Sequence, residues 1–145
     1  MSYYPIAATI SLILQIIVLV LLFVGVGLKV RKKFRQHGIA MLTAVVLHTV
    51  MIIVVMTPSF IIGFSSLGSI DFANTLVVAT LVHAFVGIAA LLLGVWLVAS
   101  WRLKADMKTC FAKKNIMLVT ITTWLIALFL GIFMYWNFYA PTLFG

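Results

Sequence analysis

Acidic side chains are almost absent from this sequence of 145 residues. It contains no glutamate and only two aspartates, Asp71 and Asp106, both of which lie outside the apolar stretches. Proton relays and cation sites inside a bilayer depend on ionisable side chains at depth. Acid–base catalysis by paired carboxylates needs two of them in one site. The lack of acid therefore argues against a proton-coupled transporter and against carboxylate catalysis.

Cysteine is equally scarce, because Cys110 is the only one. A single cysteine cannot form an internal disulfide or, by itself, a thiolate metal site. The sequence also lacks the C-x-x-C-H motif that attaches haem covalently, which excludes a c-type haem. We interpret Cys110 as a free structural thiol in a reducing compartment.

Charged residues are few as a whole, whereas apolar residues are abundant. Hydrophobic residues make up 66% of the chain and charged residues 8%, and the mean hydropathy is +1.31. A soluble domain is about half apolar and about a quarter charged. The composition excludes a soluble globular domain, a disordered chain and a nucleic-acid-binding module, and it indicates an integral membrane protein.

Long apolar stretches predict four transmembrane helices, over roughly residues 6–28, 38–57, 72–100 and 115–136. Each has the length of about 20 residues that a membrane-spanning helix needs. The first stretch is longer than the apolar region of a signal peptide and no basic residue precedes it, so we expect helix 1 to be retained. The connecting segments are short. Residues 1–145 are therefore expected to form a single all-α transmembrane four-helix bundle.

The positive charges predict the orientation of this bundle. Ten basic residues give a net charge of +8, and all of them fall between residues 29–35 or 102–114. These are the loops between helices 1 and 2 and between helices 3 and 4. Short loops rich in Lys and Arg remain in the cytoplasm. Both termini and the loop 58–71 are thus expected outside, in a multi-pass protein of the cell membrane.

Two histidines lie deep in the predicted helices. His48 precedes the outer end of helix 2 by nine residues, and His83 follows the outer end of helix 3 by eleven. At the rise of an α-helix these positions are about 14 Å and about 17 Å from the outer ends. Both imidazoles are therefore expected at nearly the same level, close to the middle of the membrane, on adjacent antiparallel helices.

This match in depth predicts a bis-histidine site for haem b between helices 2 and 3. Histidine is a common axial ligand of haem iron, and helix bundles build cofactor sites from side chains on facing helices. Gly87 lies one turn from His83 and Ala44 one turn from His48, and both are small enough to leave room for a macrocycle. Small residues also allow close helix packing without any cofactor.

Two other interpretations of His48 and His83 remain open. The two imidazoles can hydrogen-bond across helices with no cofactor, as polar side chains in membrane bundles do. They can also bind a different metal such as copper, which imidazole suits. His37 lies three turns before His48 on nearly the same face. We interpret it as an interface residue or as an accessory metal ligand.

Three stretches of the sequence resemble the YozB-type family of four-helix membrane proteins of unknown function. They are KKFRQHGIAMLTAVVLH at Lys32–His48, LVHAFVGIAALLLGVWL at Leu81–Leu97 and KKNIMLVTITTWLIALFLGIFMYW at Lys113–Trp136. Some members of that family are similar to maturation factors of cytochrome oxidases that contain haem a. The resemblance implies a respiratory context and histidines that face one another in the bundle, and it carries over to His37, His48 and His83.

The predicted function is that of a small subunit that binds or handles haem b in a respiratory or electron-transfer system, rather than an enzyme with its own substrate. The alternative is a structural subunit or assembly factor of a larger membrane oxidase or oxygenase, without a cofactor. A quinone-interacting subunit is a third interpretation. The expected partners are the lipid bilayer and other membrane subunits or further copies of the chain, and not nucleic acid.

Overall fold

A computed structural model describes residues 3–65, 71–101, 108 and 112–144 of the chain, with side chains between residues 6 and 139. Arg102, Lys104, Asp106 and Cys110 lie outside the described residues. Every regular element of the described part is helical. The prediction of an all-α bundle with four membrane-spanning helices is therefore confirmed.

The four helices are long and apolar enough to cross a membrane. They are α1 (Tyr3–Val30), α2 (Phe34–Ser65), α3 (Thr75–Trp101) and α4 (Lys114–Phe144). Large apolar side chains cover the outside of the bundle, and Phe23, Phe85 and Phe129 are each at least 60% exposed. A water-soluble protein rarely carries so much apolar surface in one continuous belt. The environment of this surface is the lipid bilayer.

Helix α2 is longer than its predicted span, because it does not end at Thr57. An α-helical segment, Phe34–Met51, is followed by a π-helical turn, Ile52–Met56, and by a second α-helical segment, Thr57–Ser65. Pro58 has no N–H to donate, and proline is tolerated in the first turn of a helix. In the wider turn, the Thr57 N–H donates to the carbonyl of Ile52, five residues earlier. The π turn thus lets the chain pass Pro58 without leaving the helix.

Helix α3 begins three residues later than predicted, because Asn74 caps it. The side-chain oxygen of Asn74 accepts a hydrogen bond of 3.0 Å from the Leu76 N–H, and the Asp71 carboxylate accepts one of 2.9 Å from the Ala73 N–H. Asparagine and aspartate satisfy the free N–H groups at the start of a helix in this way. The segment from Asp71 to Asn74 is therefore a turn rather than part of the span.

The bundle consists of two helical hairpins. Helix α1 packs along α2, and α3 packs along α4, more extensively than the hairpins pack on each other. A turn of three residues, 31–33, joins α1 to α2. The hairpins meet in a core to which all four helices contribute: Val18, Leu22, Ala44, Val45, Ala90 and Trp124. At the end of the bundle that carries the basic turn, Trp101 of α3 is buried against Gly38 of α2.

The contact between Trp101 and Gly38 generates a prediction about stability. A Cβ atom at Gly38 would overlap the indole ring of Trp101. We therefore expect Gly38→Ala to displace the indole and to lower the free energy of unfolding by about 1–3 kcal/mol, as overpacking does. Gly27→Ala is the matched control, because a Cβ atom there meets nothing within 4 Å. Thermal unfolding in mild detergent measures both variants, and equal midpoints for the two would contradict this account of the packing.

Candidate functional site

His48 is held from α1 at the centre of the bundle. Its side chain is 2% exposed, and its Nδ1 lies 3.3 Å from the amide nitrogen of Gln15. The indole of Trp124 on α4 packs beside the imidazole, with the ring centroids 4.6 Å apart. The backbone of Gly87 on α3 also lies close to the ring. Residues of all four helices therefore surround this one side chain.

The orientation of the Gln15 amide determines which ring nitrogen of His48 carries the proton. With its NH₂ group towards the ring, Gln15 donates to Nδ1, and the imidazole proton then resides on Nε2. With its carbonyl oxygen towards the ring, Gln15 accepts the Nδ1 proton, and Nε2 then has a free lone pair. Nε2 is buried and has no hydrogen-bond partner among the described residues. His48 thus presents an unpaired donor or an unpaired acceptor to the interior.

His83 is held from α4, the other helix of its own hairpin. Its Nδ1 lies 2.8 Å from the carbonyl oxygen of Ala127, so Nδ1 carries the proton and donates it. The ring packs over Gly131, where a Cβ atom would come within 3.1 Å of the imidazole Cε1. This bond fixes the tautomer and leaves a lone pair on Nε2, for which the described residues offer no hydrogen-bond donor.

His48 and His83 lie on α2 and α3, two helices that contact each other across the hairpins. Each is anchored through Nδ1, and each has an Nε2 atom that no described residue binds. Histidines that ligate metals are oriented in this way, by a hydrogen bond from the nitrogen that does not bind the metal. The pair has no carboxylate beside it, since Asp71 is the only acidic residue of the described part.

The space around the pair is closely packed except beside Gly87. Ala44 and Ala90 are completely buried, and Trp124 is 4% exposed. Gly87 is also buried, but a Cβ atom there would meet nothing within 4 Å, so the helix surface beside Gly87 has free space. A flat macrocycle between His48 and His83 would lie between the two hairpins, where these buried side chains now pack.

His37 belongs to a separate part of the bundle. It is 6% exposed, and its Nδ1 donates a hydrogen bond of 2.6 Å to the Gly25 carbonyl on α1. Its Nε2 has no hydrogen-bond partner among the described residues. Within the described part of the chain, no three His, Cys, Asp or Glu side chains converge on one point. His37 is therefore not brought together with His48 and His83.

The sequence interpretation overlooked Gln15 and Trp124, the two residues that contact the His48 ring. Both carried a signal. Gln15 is the only amide between Ile6 and Leu28, and a polar side chain at that depth marks an interior-facing position. Trp124 lies near the middle of its span, whereas tryptophan otherwise favours the membrane interfaces. A tryptophan away from the interface belt indicates a packed interior.

We compared the chain with known protein families, curated proteins and solved structures, and found no match in any of the three.

The bond between Gln15 and His48 predicts a measurable coupling. Gln15→Leu removes the only side chain in the described part of the chain that binds His48 Nδ1, and we expect it to lower the free energy of unfolding by about 0.6–1.7 kcal/mol, between the average and the maximum for polar contacts between membrane helices. The matched control, Gln36→Leu, changes an exposed glutamine of α2. A double-mutant cycle with His48→Leu in mild detergent measures the coupling. Strictly additive effects would show that the two side chains do not interact.

Proposed function

We propose that this chain binds a redox cofactor, haem b, through His48 and His83, and that it serves as a small haem-binding or haem-handling subunit of an electron-transfer system. One observation carries the proposal. Two imidazoles on adjacent helices are each anchored at Nδ1 by another helix, and neither Nε2 atom has a hydrogen-bond partner among the described residues. This is the state in which a histidine side chain is ready to ligate a metal. The resemblance to the YozB-type family supports a place beside a haem-containing oxidase.

The two imidazole nitrogens are suitable ligands for haem iron, but the macrocycle needs more space than the packed bundle provides. Bound haem supplies one-electron chemistry. The chain itself holds both rings in position through Gln15 and Ala127, and its apolar helices exclude water from the site. Space for the macrocycle has to come from the interface between hairpins, where the packing is less extensive than within each hairpin. Copper is the alternative ligand, because imidazole suits it and a single ion needs less space than a macrocycle.

A second candidate function is supported by the same packing. With the Gln15 NH₂ group towards Nδ1, His48 carries its proton on Nε2 while His83 Nε2 carries a lone pair, so the two atoms are a matched donor and acceptor for a hydrogen bond, direct or through a water molecule. Such a contact ties the two hairpins together without a cofactor. The chain then acts as a structural subunit or assembly factor, and its apolar surface packs against other membrane subunits or further copies of itself.

The visible absorption spectrum separates these functions. We expect the purified full-length chain, oxidised and then reduced, to show a Soret band and sharp α and β bands in the reduced state. His48→Ala and His83→Ala each remove an axial ligand, so we expect both variants to lose these bands. His37→Ala is the matched control, because it removes a histidine from outside the pair, and its spectrum should remain that of the parent.

The other outcomes are equally informative. A colourless chain that remains colourless after incubation with haem, and that unfolds cooperatively, would rule out haem and favour the structural function. One equivalent of copper in metal analysis of the same sample, lost in both His48→Ala and His83→Ala, would assign the pair to copper. Bands that persist in both variants would place the haem elsewhere.

We further propose that the basic turns face the cytoplasm of a cell whose plasma membrane holds the chain. Lys29, Arg31, Lys32, Lys33 and Arg35 lie at or after the end of α1 or at the start of α2. An even number of spans places both ends of the bundle on one side of the membrane. The excess of Lys and Arg in short loops sets that side as the outer one.

Cys110 tests this orientation, because it is the only cysteine and lies in the second basic segment. We expect a membrane-impermeant maleimide to label it in inside-out membrane vesicles and not in intact cells. A variant with Cys110→Ser and Ser65→Cys, which carries its only thiol near the end of α2, should give the reverse pattern. Labelling of Cys110 from outside intact cells would show that the bundle is inverted.

A further inference from the structure

A cavity of about 170 Å³ lies between the two hairpins, in the half of the bundle that carries the basic turn. All four helices contribute to its walls, through Leu22, Val45, Leu97 and Trp124. On α4 the lining extends from Lys114 to Trp124, a distance of about 15 Å along the helix axis. The cavity therefore runs from the basic end of the bundle towards its centre.

The walls of this cavity present almost no polar surface. Thr120 is part of the lining, but its hydroxyl donates to the Ile116 carbonyl of its own helix. The indole N–H of Trp124 is itself buried and adds no polar surface. An apolar cavity of about 150 Å³ stays dry and binds benzene, so this one has room for about six carbon atoms. Its walls suit a hydrocarbon ligand.

The cavity opens towards lipid between α1 and α4. All the residues that α2 and α3 contribute to the lining are buried or half-buried. In contrast, Val26 of α1 is 36% exposed and Leu118 of α4 is 66% exposed. Because both belong to the apolar outer surface, a hydrocarbon chain can enter the cavity directly from the bilayer.

Two lysines stand at this opening, Lys29 of α1 and Lys114 of α4. Because the lining is apolar, their aliphatic stems form part of the wall and their ammonium groups lie beyond it, as lysines at a membrane interface do. The Lys29 ammonium donates to the Met117 sulfur, a weak acceptor, at 3.7 Å. The opening thus combines an apolar wall with two positive charges.

No carboxylate of the described part neutralises these charges. Asp71, the only acidic residue of that part, precedes α3 at the opposite end of the bundle. The sequences of the two basic segments, 29–35 and 102–114, contain ten basic residues and a single acid, Asp106. The end of the bundle at which the cavity opens therefore carries an excess of positive charge, which an anionic group complements.

We propose that this cavity binds part of an acyl chain of an anionic phospholipid, whose phosphate group lies at Lys29 and Lys114. The chain enters between α1 and α4 and contacts walls from both hairpins. It stabilises their interface, because the side chains that line a void lack van der Waals partners. The proposal does not depend on a cofactor at His48 and His83.

The test uses the full chain with Trp96→Phe and Trp136→Phe, which removes two lipid-exposed tryptophans. The remaining tryptophans, Trp101 and Trp124, line the cavity and are 6% and 4% exposed. The probe is phosphatidylglycerol with a dibrominated acyl chain, added in increasing fractions to phosphatidylcholine bilayers. We expect it to quench the fluorescence in a saturable way. Phosphatidylcholine with the same brominated chain should quench weakly and in proportion to its fraction.

Val26→Phe narrows the opening without changing any charge. We expect it to weaken the saturable quenching about tenfold, since overpacking disfavours a filled site. The matched control, Val24→Phe, adds the same ring to α1 at a lipid-exposed position outside the lining, and should bind like the parent. Thermal unfolding in the same bilayers confirms that each variant is folded.

Lys29→Gln combined with Lys114→Gln tests the recognition of the head group. A lysine near an anionic surface contributes about fivefold in affinity, so we expect the double variant to lose its preference for phosphatidylglycerol over phosphatidylcholine. Lys32→Gln combined with Lys33→Gln removes the same charge from the same end of the bundle, outside the lining. This control should retain most of the preference.

Three results would overturn the proposal. Quenching by brominated phosphatidylglycerol in simple proportion to its fraction would indicate only the lipid that surrounds the bundle. Equal quenching in Val26→Phe and Val24→Phe would place the lipid outside the cavity. Saturable quenching that is equally strong with brominated phosphatidylcholine would show a site without selectivity for charge. Haem bands in the visible spectrum are measured separately, so a failure here is distinguishable from a failure of the haem proposal.

Discussion

The hydrocarbon core of a membrane offers no water, and this bundle anchors each of its three histidines through a hydrogen bond at Nδ1 to a neighbouring helix. His37 and His48 both bond to α1, through the Gly25 carbonyl and the Gln15 amide, and His83 bonds to the Ala127 carbonyl of α4. All three bonds lie within a hairpin. None of them joins one hairpin to the other.

The contacts between hairpins are of a different kind. The aromatic contact of His48 with Trp124 and the burial of Trp101 against Gly38 depend on shape. Among the described residues, two hydrogen bonds join α1 to α4: one of 2.9 Å between the hydroxyl groups of Thr9 and Tyr135, and one of 3.7 Å from the Lys29 ammonium to the Met117 sulfur. Packed surfaces can separate and close again at lower cost than buried hydrogen bonds can break. The histidine pair and any space for a ligand therefore both lie at the interface between the two hairpins.

The four apolar helices could be predicted from the sequence, because a membrane-spanning helix needs a long run of apolar residues. The direction of each side chain could not, since it depends on how the hairpins pack. Depth placed His48 and His83 at one level, but Gln15 and Ala127 determine the orientation of the rings. The continuation of α2 past Pro58 was also missed, because a π turn has no clear sequence signature. The cavity between the two hairpins, which His37 and Trp124 line, could not be predicted either, because it results from three-dimensional packing.

The π turn, Ile52–Met56, separates α2 into two mechanical parts. A helix of 32 residues is about 48 Å long, against about 30 Å of hydrocarbon. None of the residues from Ile52 to Ser65 is buried in the bundle, and Phe60 and Phe64 stack on each other instead. One residue added to or removed from the wide turn would rotate this outer segment by about 100° while His48 stayed in place. The direction in which the segment points can therefore change in evolution independently of the histidine pair below it.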